Sequence, residues 1–373
     1  MSQLKPRLLK LHRWVGLALG LLLIVQGLTG ASLVFRDEIE RVIHPAMVVP
    51  SAPQRVPVQA LIDTVAAAHP DFAISRAEFS YWDDGAVLFK LVAKDGTRRL
   101  TAVDPYRGVI TRDGTLLAWP AEWMFYLHES LLAGPVGETL VGIEGLGFLF
   151  MAVTGPFVWW PGRKRIGQGL RVVLDKGADR RWRSLHRAGG AIVALLLATS
   201  AVTGVLMVWK PEFRAVLRMA GPVSEKPSPT VAPIEGGLLQ PVDLAIRRAQ
   251  SDFGATPLRQ LRFSSGGRVV AVYLDSDLTI RADGTKQVYY NRYTGAVVGQ
   301  YVAGRLPTGT EIVDWLFTVH SGQFFGILTR LLFMFGGLAL AALSATGLWL
   351  WYSRTARRRS RRSPTLAHAA EAI

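Results

Sequence analysis

LHRWVGLALGLLLIVQGLTGASLVFRDEI, residues 11–39, lies over LHRAGGAIVALLLATSAVTGVLMVWKPEF, residues 185–213, without a gap. The alignment pairs His12 with His186, Arg13 with Arg187, Gly16 with Gly190, Thr29 with Thr203, Gly30 with Gly204 and Glu38 with Glu212. A second pair of segments also aligns without a gap. It sets Trp123 over Trp315, Phe125 over Phe317, His128 over His320, Gly134 over Gly326, Thr154 over Thr346, Gly155 over Gly347 and Trp159 over Trp351. Self-similarity on this scale decides the organisation of a chain before any local pattern does. The order is helix, intervening domain, helix, twice over.

Each of these helical segments carries an apolar run of spanning length, since about 20 such residues cross a bilayer as a helix. The runs cover 14–35, 138–160, 185–209 and 325–352. No small-residue cleavage site follows the first, so it reads as a retained anchor. The net charge of +15 is confined to particular stretches. Segments 1–13, 161–187 and 353–373 hold 19 Lys/Arg against 3 Asp/Glu, and the remainder holds 24 against 25. Positive residues collect on the cytoplasmic side of membrane proteins. The N-terminus 1–13, the loop 161–184 and the tail 353–373 are therefore expected to be cytoplasmic. The connections 36–137 and 210–324, with their lead-ins to the second and fourth spans, face outward. Topology accounts for the basic clusters, so the partner they imply is the lipid bilayer and not nucleic acid. Both halves start on the same side, which makes the repeat parallel, with its two-fold along the membrane normal. The chain has no cysteine. Disulfides, iron–sulfur clusters and c-type haem attachment are excluded.

The outer segments repeat too. VPVQALIDTVAAAHPDF and LQPVDLAIRRAQSDF read as short amphipathic helices. Alternating strand patterns follow each: ISRAEFSYW, AVLFKLVA and RRLTAVD in the first, LRQLRFS, RVVAVYLD and KQVYYN in the second. Each series ends in a turn, DPYRGVI or NRYTGAVV, where Gly108 and Gly295 supply a positive φ. Two α+β modules are expected, each a helix on an antiparallel sheet.

Four of the seven histidines occupy repeated positions: His12, His128, His186 and His320. His44, His69 and His368 do not. In one reading the four are interfacial anchors beside arginines and aromatics, common in membrane proteins. In the other, a two-fold brings His12 to His186 near the cytoplasmic face and His128 to His320 near the outer face. Two facing imidazoles suit the axial positions of a haem iron, whereas a zinc site wants further ligands. Gly16, Gly20, Gly27 and Gly30 follow His12 on one helical face. Such a face could admit a flat macrocycle or serve plain helix packing. Trp123, Phe125, Trp315 and Phe317 would flank the outer site. Arg330, at the position equivalent to Glu138, is expected either to pair with that residue or to neutralise haem propionates. Glu144 lies deeper in its span, where a carboxylate is either a functional candidate or a protonated or hydrogen-bonded structural residue.

The paired LH…TG…W helices, with the DPYRG and NRYTG modules, resemble the PepSY-associated transmembrane family across nearly the whole chain, roughly residues 5–355. The resemblance implies an α-helical bacterial inner-membrane protein with four transmembrane helices and two periplasmic α+β PepSY-like modules. It implies two b-type haems, with His12, His186, His128 and His320 as iron ligands, and an electron path across the bilayer. Family members include ferric-siderophore reductases, which makes a ferric siderophore the favoured acceptor. The sequence has no strand–GxGxxG–helix unit, so flavin or nicotinamide belongs to a separate cytoplasmic donor, unless a quinol takes that role. Two other functions fit the same residues: a colourless PepSY-based binding or peptidase-regulating protein, and a haem subunit feeding a separate periplasmic enzyme.

Overall fold

The computed structural model describes residues 4–275 and 285–362. The end of the basic tail, 363–373, lies outside the described residues. In chain order the first helices are α1 (Leu4–Leu33), α2 (Arg36–Ile43), α3 (Val58–Ala68), α4 (Pro120–Ser130) and α5 (Gly134–Trp159). They are followed by α6 (Ile166–Leu170), α7 (Ala178–Val208), α8 (Lys210–Arg218), α9 (Val242–Phe253), α10 (Thr308–His320) and α11 (Gly326–Arg362).

Helices α1, α5, α7 and α11 are long and apolar enough to cross a membrane. They close into a four-helix ring in which α1 packs mainly on α11 and α5 mainly on α7. Lipid gives apolar helices no hydrophobic reason to associate, so close contact between small residues has to supply the attraction. A Cβ on Gly27 would fall 2.6 Å from the Gly337 carbonyl oxygen, and one on Gly337 would fall 2.7 Å from that of Gly27. At this crossing α1 and α11 touch backbone to backbone. Leu23, Phe148, Leu197 and Ala201 fill the ring interior, while Leu21, Ile192, Leu195 and Leu328 point outward. Helices α1 and α7 begin about three and about two turns before the apolar runs at 14 and 185, so basic residues ride on helical extensions. There Lys5 Nζ donates to the Trp160 carbonyl at 3.2 Å and Arg357 pairs with Asp179 at 2.5 Å. One end of the bundle is therefore basic.

The other end carries a sheet. Its strands are β1 (Phe72–Glu78), β2 (Val87–Ala93), β3 (Arg98–Val103), β4 (Ile110–Thr115), β5 (Leu258–Ser264), β6 (Val269–Leu274), β7 (Lys286–Asn291) and β8 (Val297–Val302). Where sequence periodicity suggests two separate modules, the strands form one antiparallel sheet in the order β4-β3-β2-β1-β5-β6-β7-β8. The join is β1 against β5, with Ala77 opposite Leu261. Either four-stranded half alone would leave that edge open to foreign strands, and pairing the edges removes the hazard. Strands β4 and β8 follow the turns at Gly108 and Gly295. They lie at the rims of the sheet, and ITRDGT is a poor strand sequence by propensity. Gly108 and Gly295 adopt φ of 70° and 69°, as the turn sequences require.

Helices α3 and α9 cover one face of the sheet. Leu61, Ile62 and Val65 of α3 join Val242, Ile246 and Ala249 of α9 over Phe89, Leu91, Val270 and Val272. The two helices also cap one another. Asp243 accepts the Val58 and Gln59 amides at 2.8 and 3.0 Å, and the Gln59 side chain accepts the Val242 amide at 3.2 Å. The opposite face of β2 carries Lys90, which reaches Glu78 of β1 at 3.1 Å and Glu122 of α4 at 2.8 Å. Arg36, at the start of α2, pairs with Glu122 at 2.6 Å. The charges on this face tie the sheet to α4.

Candidate functional site

Helix α4 starts with Pro120 at its first position, just after the buried Trp119, and carries Glu122 in its first turn. A proline there loses no helical hydrogen bond, and an acid favours that end of the helix dipole. His128 sits in the last turn. Gln26 of α1 donates to the His128 carbonyl at 3.0 Å, which pins α4 to the bundle. Helix α10 is built alike, with Glu311 in its first turn and His320 as its last residue. The His128 and His320 rings face one another with centroids 6.2 Å apart and planes tilted by 52°. One histidine comes from each half of the chain. Thr29 of α1 lies 3.0 Å from His128 Nδ1, and Thr203 of α7 lies 3.0 Å from His320 Nδ1.

The same construction occurs nearer the basic end. His12 Nδ1 lies 3.2 Å from the Thr154 hydroxyl of α5, and His186 Nδ1 lies 3.0 Å from that of Thr346 in α11. These two histidines are within electrostatic reach of each other. Both sit in the third turn of their helices and not at the start, because α1 and α7 extend further toward the basic end than their apolar runs. Seventeen residues of α1 separate His12 from Thr29. At 1.5 Å per residue the two histidine layers lie about 25 Å apart along the bundle.

The glycines divide by task. Gly20 packs on Leu348 and Gly27 on Gly337, so most of the face that could admit a macrocycle is taken by helix packing. Gly30 instead faces the His128 ring, Gly204 the His320 ring, Gly155 that of His12 and Gly347 that of His186. Each of these glycines directly follows the threonine that meets the same ring. The sequence alignment displays the Thr-Gly pairs in both halves. Their tie to the histidines is invisible there, because each pair meets a ring from another helix.

Other expectations resolve differently. Arg330 does not pair with Glu138. Its guanidinium donates to the Val34 carbonyl at 2.8 Å, pairs with Glu38 at 2.7 Å and lies over the Phe35 ring. Position 38 of α2, beyond the apolar run, was closer in space than the residue aligned by the repeat. His44 is held by Glu40 one turn earlier and packs against Trp119, while His69 lies 3.1 Å from Asp113. His368 lies outside the described residues. Among the flanking aromatics, Phe125 sits under the Arg36 guanidinium and Phe317 is partly exposed, at 42%. Glu144 is buried, and neither of its carboxylate oxygens has a hydrogen-bond partner among the described residues. It projects from α5 between the two histidine layers.

Outside the bundle, burial works to raise the Glu78 pKa, but Lys90, Arg36 and Arg76 outweigh it and hold the carboxyl at about 2. Among the described residues, no group of three or more His, Asp or Glu side chains is arranged to hold a bare metal ion. What the molecule offers is one opposed pair, His128 and His320, and a second pair, His12 and His186, held by the same kind of threonine contact. No curated protein matches the chain. Residues 9–354 match the family described as the PepSY-associated TM region, and with nearly its whole length covered the chain belongs to that family of membrane proteins.

Proposed function

We propose that this protein carries electrons across the bacterial inner membrane through two b-type haems, one at each histidine pair. On this reading the two halves are a tandem parallel repeat with both termini cytoplasmic, and the sheet is the periplasmic pair of PepSY modules. The observation that carries the proposal is the opposition of His128 and His320. With metal–nitrogen bonds of about 2 Å, two imidazoles bound end-on to one ion hold their ring centres about 6 Å apart. The rings here stand at 6.2 Å. A pair with no third side-chain ligand suits a group that brings its own equatorial nitrogens. Haem supplies one-electron chemistry when bound. His128 and His320 would hold one such group and His12 and His186 the other, each from both halves of the chain and one layer toward each face of the bilayer.

The favoured acceptor is the ferric ion of a siderophore. One electron per iron yields Fe(II), which binds hard oxygen chelators less well and is released. The electron comes from a separate cytoplasmic flavin or nicotinamide enzyme, or from quinol. Arg330 stays a candidate contact for an acidic cofactor edge at the outer layer, with its charge already matched by Glu38.

The test is a visible spectrum of the detergent-purified protein, oxidised and dithionite-reduced, with a pyridine haemochrome count. Two b-type haems per chain are expected. His128→Ala and His320→Ala should each lose the outer haem and keep the inner one; His12→Ala and His186→Ala should do the reverse. Reduced protein should then be reoxidised by a ferric siderophore. A protein that stays colourless after haem is supplied during expression ends the electron-transfer reading and leaves a binding or peptidase-regulating role.

A further inference from the structure

The four histidine–threonine contacts carry more information than their distances. A threonine hydroxyl has one proton to give. In each of the four threonines that proton has an acceptor on the same helix. Thr29 donates to the Val25 carbonyl at 2.7 Å and Thr154 to that of Phe150 at 2.7 Å. Thr203 donates to the Thr199 carbonyl and Thr346 to that of Ala342, both at 2.8 Å. A carbonyl can only accept, so the hydroxyl proton is committed there. The threonine oxygen is then left as an acceptor toward the imidazole. With each hydroxyl donating along its own helix, Nδ1–H is the donor to the threonine oxygen and Nε2 keeps a bare lone pair. The Gln26, Ser200 and Leu343 backbones offer the His128, His320 and His186 rings a further acceptor, which a threonine-to-valine change leaves in place.

We infer that Thr29, Thr154, Thr203 and Thr346 are positioning residues that set the tautomer and the aim of His128, His12, His320 and His186. The inference rests on the electron-transfer reading of the same site. A bond from threonine to the carbonyl one turn back is ordinary in membrane helices. Thr139 and Thr199 make one too, on the exposed side of the bundle. What sets the four apart is that each meets an imidazole from another helix, in both halves and at both layers. His44 and His69, which are not repeated, meet carboxylates instead. The glycine after each threonine completes the cradle. A Cβ on Gly30, Gly155, Gly204 or Gly347 would lie 2.9, 3.7, 3.2 or 3.5 Å from the Cε1 of the ring that its threonine holds.

An acceptor on Nδ1–H makes the opposite nitrogen a stronger donor to a metal. A stronger donor favours the oxidised ion and lowers its potential. Valine has nearly the shape of threonine and lacks the hydroxyl, so Thr29→Val or Thr203→Val should raise the potential of the outer haem alone. Thr154→Val or Thr346→Val should raise that of the inner haem alone. Thr→Ser at each site should return the potential toward its original value. Spectroelectrochemical titration of the full-length protein in detergent reads these shifts. A second readout does not need haem. Nitrogen-15 NMR of histidine-labelled full-length protein, expressed without haem supply, should show four imidazoles protonated at Nδ1, with His128 losing that signature in Thr29→Val.

A shift confined to the layer substituted, or haem loss from that layer rescued by serine, supports the assignment. Unchanged potentials with an unchanged tautomer overturn it, as do serine variants that behave like valine. If the protein never takes up haem yet shows the four Nδ1-protonated rings, the electron-transfer reading fails and the threonine assignment stands.

Discussion

At the scale of single residues, the charges between sheet and bundle are the most exposed to test. Lys90 serves two carboxylates, Glu78 and Glu122, and the Glu122 side chain is only 4% exposed. Removing one partner from a buried pair leaves the other charge uncompensated, which costs several times what the pair itself contributes. Lys90→Met should therefore destabilise the folded protein by about 3 kcal/mol, read from denaturant unfolding of the sheet in detergent. An unchanged midpoint would mean that Arg36 and Arg76 suffice. The same cluster fixes a pH response. The Glu78 carboxyl titrates at about 2 when folded and near 4.5 otherwise. Its contribution is thus fully present above pH 4.5 and lost as pH falls toward 2. Glu78→Gln should flatten the stability profile across that window.

At the scale of elements, helix ends decide how the outer domain holds together. Helices α3 and α9 start with proline at the cap position and have no capping side chain of their own. Each draws one from the other, Asp243 in one direction and Gln59 in the other. Orphan amides at a helix start are stabilised by such acceptors, and losing a cap typically costs about 1–2 kcal/mol. Asp243→Ala should cost that much in unfolding experiments, with Asp243→Asn recovering part of it. A loss specific to the first half of the sheet, read by hydrogen exchange of α3, would locate the effect. The bundle relies on another kind of contact. Gly27 and Gly337 bring two backbones together where any side chain would hold them apart.

At the scale of the whole molecule, charge and shape are aligned. The basic extensions gather at one end of the bundle and the eight-stranded sheet covers the other. Positive residues are retained on the cytoplasmic side during insertion. The cysteine-free sequence allows a clean check. Asp95→Cys, in the exposed hairpin between β2 and β3, should react with a membrane-impermeant maleimide once the outer membrane is permeabilised. Lys176→Cys, in the exposed loop before α7, should react only after the inner membrane is opened. The opposite pattern would invert the proposed direction of electron flow.

The apolar runs, the charge segregation and the gapless overlay of residues 11–39 on 185–213 determined the four helices, because composition and period are local properties that need no partner. The turn glycines and six of the eight described strands were legible for the same reason; the two missed strands lie at the rims of the sheet, and of these only β4 has a sequence of weak strand propensity. The four histidines stood out because they recur in step. Tertiary structure alone decided what each one touches. Thr29 reaches His128 across 99 positions and Thr154 reaches His12 across 142. No periodicity encodes a hydrogen bond between different helices. It also decided that the outer modules share one sheet, since the β1–β5 pairing joins strands from opposite halves through their backbones, which carry no sequence signature. Arg330 went to Glu38 because charges pair by distance in the folded bundle, not by position in a repeat.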